Sequence, residues 1–251
     1  MSESTVKKNL TGREKAAYGL GAVGKDMVYM LSASYVLYYF QDIMGVSAVA
    51  MGVILMAARI FDAFNDPIMG VITAKTKTKW GKFRPWLLRA APLLCVTSIA
   101  LWTVPTFVDG ITLIVVLFSC KILYEASYTM FNIPMGSLLS AMSTNDSERA
   151  SLSSARGVGS MFGNMIPAMA GPVVIGLWDD RTSTGYMITG VVCAVIGFVI
   201  CLLHYALTEE RTVVGAESKA DDIKFTDILV VVKKNRPFVA LCIHGVCICL
   251  M

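Results

Sequence analysis

Six apolar stretches, each long enough to cross a bilayer, alternate along the chain with short polar segments. They fall at roughly residues 18–41, 47–74, 85–107, 111–142, 152–177 and 186–207. A helix rises 1.5 Å per residue, so about 20 apolar residues cross the hydrocarbon core. In lipid, segments this long satisfy their backbone groups only as helices. The fourth is longer than a bilayer requires, and it is expected to tilt or protrude. The pattern therefore predicts an all-α membrane protein. Residues 1–15 form a polar tail that is not a cleavable signal, and residues 16–207 form the bundle. Residues 208–237 are polar and charged, as a central linker would be. The apolar run 238–251 has only 14 residues, too few to span. It reads as a truncated seventh helix, which makes the chain the N-terminal half of a twelve-helix protein. The alternative is a six-helix protein with an interfacial tail.

Composition agrees with the pattern. The chain is 55% hydrophobic and 16% charged, against about 25% charged in a soluble domain, and its mean hydropathy is +0.63. The net charge of +4 calls for no nucleic acid, because its distribution follows topology. Lys7, Lys8, Arg13 and Lys15 lie before the first span. Lys75, Lys77, Lys79, Lys82 and Arg84 lie between the second and third, and Arg149 lies between the fourth and fifth. Arg211, Lys219, Lys224, Lys233, Lys234 and Arg236 follow the sixth, whereas the opposite loops offer only Arg181. The positive-inside rule then places the N-terminus in the cytoplasm and the protein in the cytoplasmic membrane, as a multi-pass protein. The cysteines all lie in apolar runs and read as small buried hydrophobes. His204 and His244 read as packing residues. No phosphate loop, nucleophile–base pair or metal cluster is present in the sequence, so neither an enzyme nor a cofactor is expected.

Ionisable residues inside the spans carry the candidate chemistry. Each costs about 2.5–3.5 kcal/mol at a helix centre and must face a cavity or a partner. They are Lys25 and Asp26 in the first span, Arg59, Asp62 and Asp66 in the second, Lys121 and Glu125 in the fourth, and Arg156 at the start of the fifth. Asp62 and Asp66 are one helical turn apart and project from one face. Two carboxylates on one wall suit a small hard cation or a proton held at raised pKa. The alternative is an Arg59–Asp62 bridge that only fixes packing. Pro67 is expected to kink the helix and free a carbonyl nearby. Lys121, Glu125, Tyr128 and Asn132 recur at four, three and four residues and share a face, with Thr129 beside it. Tyr128 and Asn132 offer donors and acceptors for a polyhydroxylated ligand, while Lys121 and Glu125 are able to neutralise each other. The charged run 75–86 serves as a gate between helix ends or simply marks topology.

Five segments taken together resemble the glycoside–pentoside–hexuronide:cation symporters of the major facilitator superfamily. They are residues 18–26, residues 58–67 with their Arg-Ile-Phe-Asp-Ala-Phe-Asn-Asp-Pro run, residues 80–86, residues 128–134, and residues 148–152 before Arg156. The resemblance implies two inverted three-helix repeats and alternating access against a second six-helix half. It implies cation-site positions at Asp62, Asp66 and Thr129, and sugar-site positions at Lys25, Asp26, Tyr128 and Arg156, which Asn132 joins by its place on helix four. The coupling cation would be Na+, Li+ or H+, with no cofactor. Arg59, Lys82, Arg84, Lys121 and Glu125 remain as gating or helix-pairing residues. The melibiose-transporting members carry aspartate where this chain has Asn132, and tryptophan where it has Gly136. That difference argues against galactosides and for a larger glycoside, a pentoside or a uronide. The rival readings are a transport-inactive sensor or assembly subunit and a lysolipid symporter.

Overall fold

A computed structural model describes residues 9–104, 108–178 and 183–211. Six long helices follow one another: α1 (Gly12–Tyr38), α2 (Ala48–Lys75), α3 (Arg84–Trp102), α4 (Gly110–Met142), α5 (Asp146–Gly176) and α6 (Ser183–Leu207). A π-helical turn, Tyr39–Ile43, extends α1. The architecture is the expected all-α membrane bundle. Helices α2 to α6 are each long and apolar enough to cross a membrane. The exception is α1, which carries Lys25 and Asp26 at its middle. It is also the most enclosed helix, packed along both α5 and α6, so fewer of its side chains need to be compatible with lipid.

Helix boundaries follow local chemistry, and two of them correct the expectation. α1 begins at Gly12, inside the supposed tail, because Thr11 and Glu14 form a reciprocal capping box. Such a box satisfies two otherwise orphaned N–H groups. α5 begins at Asp146 rather than 152: Asn145 caps it by accepting from the Ser147 N–H at 2.9 Å, and Asp146 and Glu148 favour the positive end of its dipole. Arg156 therefore lies ten residues into α5, not at its start. α2 runs unbroken through Pro67, which leaves the Ala63 carbonyl without its helical donor. Residues 212–251, which include most of the expected linker and the short seventh helix, lie outside the described residues, as do Arg181 and His244.

Packing is two-fold in pattern. α1 lies along α5 and α6, α4 lies along α2 and α3, and α3 meets α6. Exchanging α1, α2 and α3 for α4, α5 and α6 maps this pattern onto itself, as two inverted repeats require. Two apolar cores result. One gathers Tyr39, Phe40, Trp102, Leu117 and Tyr186; the other gathers Tyr18, Leu87, Phe131, Leu138 and Leu152. On α1 the boundary between them falls at Lys25 and Asp26. Of the described cysteines, Cys193 and Cys201 are buried and Cys95 and Cys120 only half-buried.

The connections at the N-terminal end of α1 are tied together. Glu148 accepts from the Leu10 N–H at 2.9 Å and from the Ser143 hydroxyl at 2.5 Å. Glu14 pairs with Arg211. Glu210, beyond α6, accepts from the Lys82 and Phe83 N–H groups at 3.1 and 3.2 Å, at the N-terminal end of α3. The Arg84 guanidinium donates to the Tyr205 carbonyl at 3.2 Å and lies over the Tyr205 ring. The run that read as a gate or a topology marker thus braces α3 to the end of α6. Gly81 has φ +103°, and a Cβ there would meet Glu210 at 1.5 Å.

The α1–α5 crossing depends on glycine. A Cβ on Gly159 would stand 2.1 Å from the Gly19 carbonyl oxygen, and one on Gly163 would stand 3.1 Å from the Asp26 Cβ. Gly157, on the same helix, faces open space. Gly159→Val is expected to destabilise the bundle by about 3 kcal/mol or more, the upper range for overpacking. Gly157→Val should stay within about 0.5 kcal/mol. Thermal unfolding of the two variants in detergent measures the difference; equal stability would contradict this crossing.

Candidate functional site

Between the two apolar cores, α1, α2, α4 and α5 bring the sequence-predicted residues into two neighbouring groups. The first centres on Asp26. Lys25 and Asp26 are adjacent in sequence and pair with each other, with side chains only 4% and 9% exposed. Tyr128 of α4 donates to Asp26 Oδ1 at 3.2 Å and accepts from Lys25 Nζ at 3.3 Å. The Lys25 ammonium also sits 5.5 Å from the centre of the Tyr128 ring, within cation–π range. Two opposite charges and a phenol thus satisfy each other inside the bundle, which is how ionisable residues persist in a bilayer.

Tyr29 completes this group. Its ring stacks on Tyr128 with centroids 4.8 Å apart. Sequence reasoning passes over it, although a signal is present: Tyr29 lies three residues beyond Asp26 and four beyond Lys25, so it shares their face. The stacked pair gives the site a flat apolar surface beside its charges.

Arg156 lies at the edge of the group. Its Nη2 is 3.5 Å from Asn132 Oδ1, a contact at the limit of hydrogen bonding, and its guanidinium interacts with Tyr18. Among the described residues its ion-pair distances include no carboxylate. A Cβ on Gly136 would meet only Arg156 Nη1, at 3.3 Å. Gly136 therefore lets the guanidinium lie close against the backbone of α4.

The second group lies on the facing sides of α2 and α4. Thr129 donates to Asp66 Oδ1 at 2.8 Å. Asp62 has one oxygen 3.7 Å from Arg59 Nη1, while its other, Oδ1, is buried without a hydrogen-bond partner. The Arg59 side chain is 68% exposed and interacts with Tyr29 as well. The bridge that the sequence allows is thus present but long, and it leaves half of the Asp62 carboxylate unused. A buried carboxylate oxygen lacking a donor is costly, and a hard cation is a partner that such an oxygen accepts. Lys121 and Glu125 form a separate ion pair of 2.6 Å with side chains 7% and 5% exposed. Lys121 also donates to Ser32 of α1 at 3.1 Å, another residue that the sequence does not single out.

Comparison with known proteins fits this architecture. The sequence pattern of the family described as MFS/sugar transport protein matches residues 17–250. The chain is 32% identical over 244 residues to an uncharacterized symporter, YnaJ, of Bacillus subtilis, covering 96% of the chain and 52% of that protein. It is 30% identical over 243 residues to a glucuronide carrier protein homolog of Escherichia coli, covering 96% and 52%. It is 31% identical over 240 residues to an isoprimeverose transporter of Lactiplantibacillus pentosus, covering 94% and 50%. The chain spans about half the length of these curated relatives. With its six-helix bundle and a match across nearly its whole length, the chain belongs to the MFS/sugar transport protein family.

Proposed function

We propose that this chain forms one wall of a cation-coupled symporter for a sugar or glycoside, working by alternating access in the cytoplasmic membrane with its N-terminus in the cytoplasm. The observation that carries the reading is the buried, unpartnered Oδ1 of Asp62, one turn from Asp66 and its Thr129 partner. Asp62, Asp66 and Thr129 bind the cation, which is Na+, Li+ or H+. Lys25, Asp26, Tyr128, Asn132 and Arg156 bind the substrate, and the stacked Tyr29 and Tyr128 rings offer a face for a pyranose. A second six-helix half supplies the opposite wall. Coupling is reciprocal: cation bound at Asp62 and Asp66 raises substrate affinity, and substrate raises cation affinity by the same factor.

The relatives named for a glucuronide and for isoprimeverose support a glycoside larger than, or chemically different from, a simple galactoside. Arg156, with neutral partners and no side chain on the neighbouring Gly136, suits a carboxylate on such a substrate, since guanidinium binds carboxylate in two parallel hydrogen bonds. The test is uptake of radiolabelled methyl glucuronide and methyl xyloside into proteoliposomes holding this chain together with its second half. A gradient of Na+, Li+ or H+ should drive saturable uptake. Uptake indifferent to all three gradients would contradict symport.

Asp62→Cys and Asp66→Cys are expected to abolish the cation response of substrate binding while retaining part of the binding itself. Binding titrated with Na+, Li+ and H+ checks this, and a full cation response in both variants would move the ion site elsewhere. Asn132→Asp replaces a neutral acceptor by a charged one. Hydrogen bonds to charged groups contribute about 1.5–3 kcal/mol against about 1 for neutral ones, so about a tenfold gain per converted bond is expected for small hexosides. Arg156, 3.5 Å from Asn132, will take up part of the new charge. Competition binding across α- and β-glycosides measures the shift; an unchanged ranking would remove Asn132 from the substrate site.

A further inference from the structure

The buried pair Lys121–Glu125 is unaccounted for by the substrate and cation sites. α2 and α4 run in the same direction, since both are even-numbered passes of a bundle whose helices alternate. The 2.8 Å bond from Thr129 to Asp66 fixes their register. One turn back along both helices sets Glu125 level with Asp62, and Lys121 level with the turn that carries Arg59. Charges interact across that level: Asp62 with Glu125 and Lys121, and Arg59 with Glu125. The pair is also held in place. Lys121 Nζ lies 2.6 Å from Glu125, 3.1 Å from Ser32 and 5.2 Å from the centre of the Tyr124 ring, and Tyr124 is anchored by its bond to the Val28 carbonyl.

A buried ion pair is weak evidence for stability, because apolar residues of the same volume often serve packing as well or better. Its position beside a half-used carboxylate has a simpler electrostatic reading. We propose that Lys121 and Glu125 are positioning residues that set the cation affinity of Asp62. This rests on the cation site proposed above. Glu125 adds negative potential at the level of Asp62. It also holds the Lys121 ammonium, which would otherwise be drawn to the open Asp62 oxygen. From α2, Arg59 and Asp66 face the same carboxylate, and Tyr29 of α1 reaches it through Arg59. Three carboxylates, Asp62, Asp66 and Glu125, stand against two fixed cations, Arg59 and Lys121. The cluster therefore lacks one positive charge, which one monovalent cation supplies.

An electrostatic role has a sign that a packing role does not. Glu125→Gln removes an attractive charge and releases Lys121 toward Asp62, so cation binding weakens. Lys121→Gln removes a repulsive charge, so cation binding strengthens. The double variant keeps the net charge and returns toward the starting affinity, and Glu125→Asp preserves it. The experiment labels Asp62 with a hydrophobic carbodiimide in proteoliposomes of the chain at fixed pH, with labelling located by mass spectrometry. It reads the Na+ or Li+ concentration that half-protects the residue. Relative to the unmodified chain, the expected shift is about tenfold upward for Glu125→Gln and about tenfold downward for Lys121→Gln, the middle of the range for coupled neighbours. The double variant should lie within about threefold of the start. If Glu125→Gln does not fold, Lys121→Gln and the double variant carry the same sign test. Shifts in one common direction, or none, with the unmodified chain still protected, would overturn the role of the pair and leave the cation site standing. An unmodified chain that neither Na+ nor Li+ protects would overturn this inference, and with it a Na+ or Li+ site at Asp62.

Discussion

Charge inside a hydrocarbon medium has to be neutralised on the spot, and the interior of this bundle is organised by that requirement. Lys25 and Asp26 sit at the boundary between the two apolar cores and satisfy each other with the help of Tyr128. Lys121 and Glu125 do the same one layer away, tied to α1 through Ser32. Neither pair tolerates a loosely packed surrounding, since a carboxylate or ammonium left alone there costs several kcal/mol. The glycine crossings of α1 with α5 bring the backbones close enough to hold Asp26 in place. The ties among Glu14, Arg211, Glu148, Glu210 and Arg84 fix the end of the bundle from which these helices rise.

Asp62 and Arg156 are less completely paired, and a ligand has most to offer there. Asp62 keeps one buried oxygen without a donor, and its Arg59 partner is largely exposed. Arg156 has a long contact to Asn132 and a phenol as partners, and it lies against the bare backbone of Gly136. A carboxylate seeking a cation and a guanidinium seeking an anion or a hydroxyl both lie in the region that holds the Lys25–Asp26–Tyr128 group. A cation and a sugar derivative bound there would share intermediaries in Thr129 and Tyr128, adjacent on α4. Adjacency of this kind is a physical route for coupling two ligands without a large rearrangement of either site.

Much of this is legible in the amino-acid sequence. Six runs of membrane length become six helices, and the spacing of Lys121, Glu125, Tyr128 and Asn132 places them on one face of α4. The Thr11–Glu14 capping box is also readable, but the polar composition of residues 1–15 suggests a tail. Asn145 is masked in the same way, because the apolar window begins only near residue 152 while the helix starts where its cap is. What the sequence does not show is pairing across helices. Glu210 meets the Lys82 and Phe83 N–H groups over 127 residues or more, and Ser32 meets Lys121 over 89. Adjacent Lys25 and Asp26 read as two separate ligand contacts, whereas in the fold each is first of all the other's counter-ion.

The central claim is that the polar face shared by α1, α2, α4 and α5 meets water at its less buried positions, Asn132, Gly136 and Asp66, while its ion pairs are packed. Single cysteines at Asn132, Gly136 and Asp66, in a chain whose seven native cysteines are replaced, measure this directly against controls at Val195 and Val199 on the exposed apolar face of α6. A charged, membrane-impermeant thiol reagent supplied to both sides of proteoliposomes reports which positions meet water. A water-facing wall predicts modification at 132, 136 and 66 at least about tenfold faster than at 195 and 199, because a thiol reacts as the solvated thiolate. Equal, slow modification at all five positions would mean that the charged residues only hold helices together, and would contradict the claim.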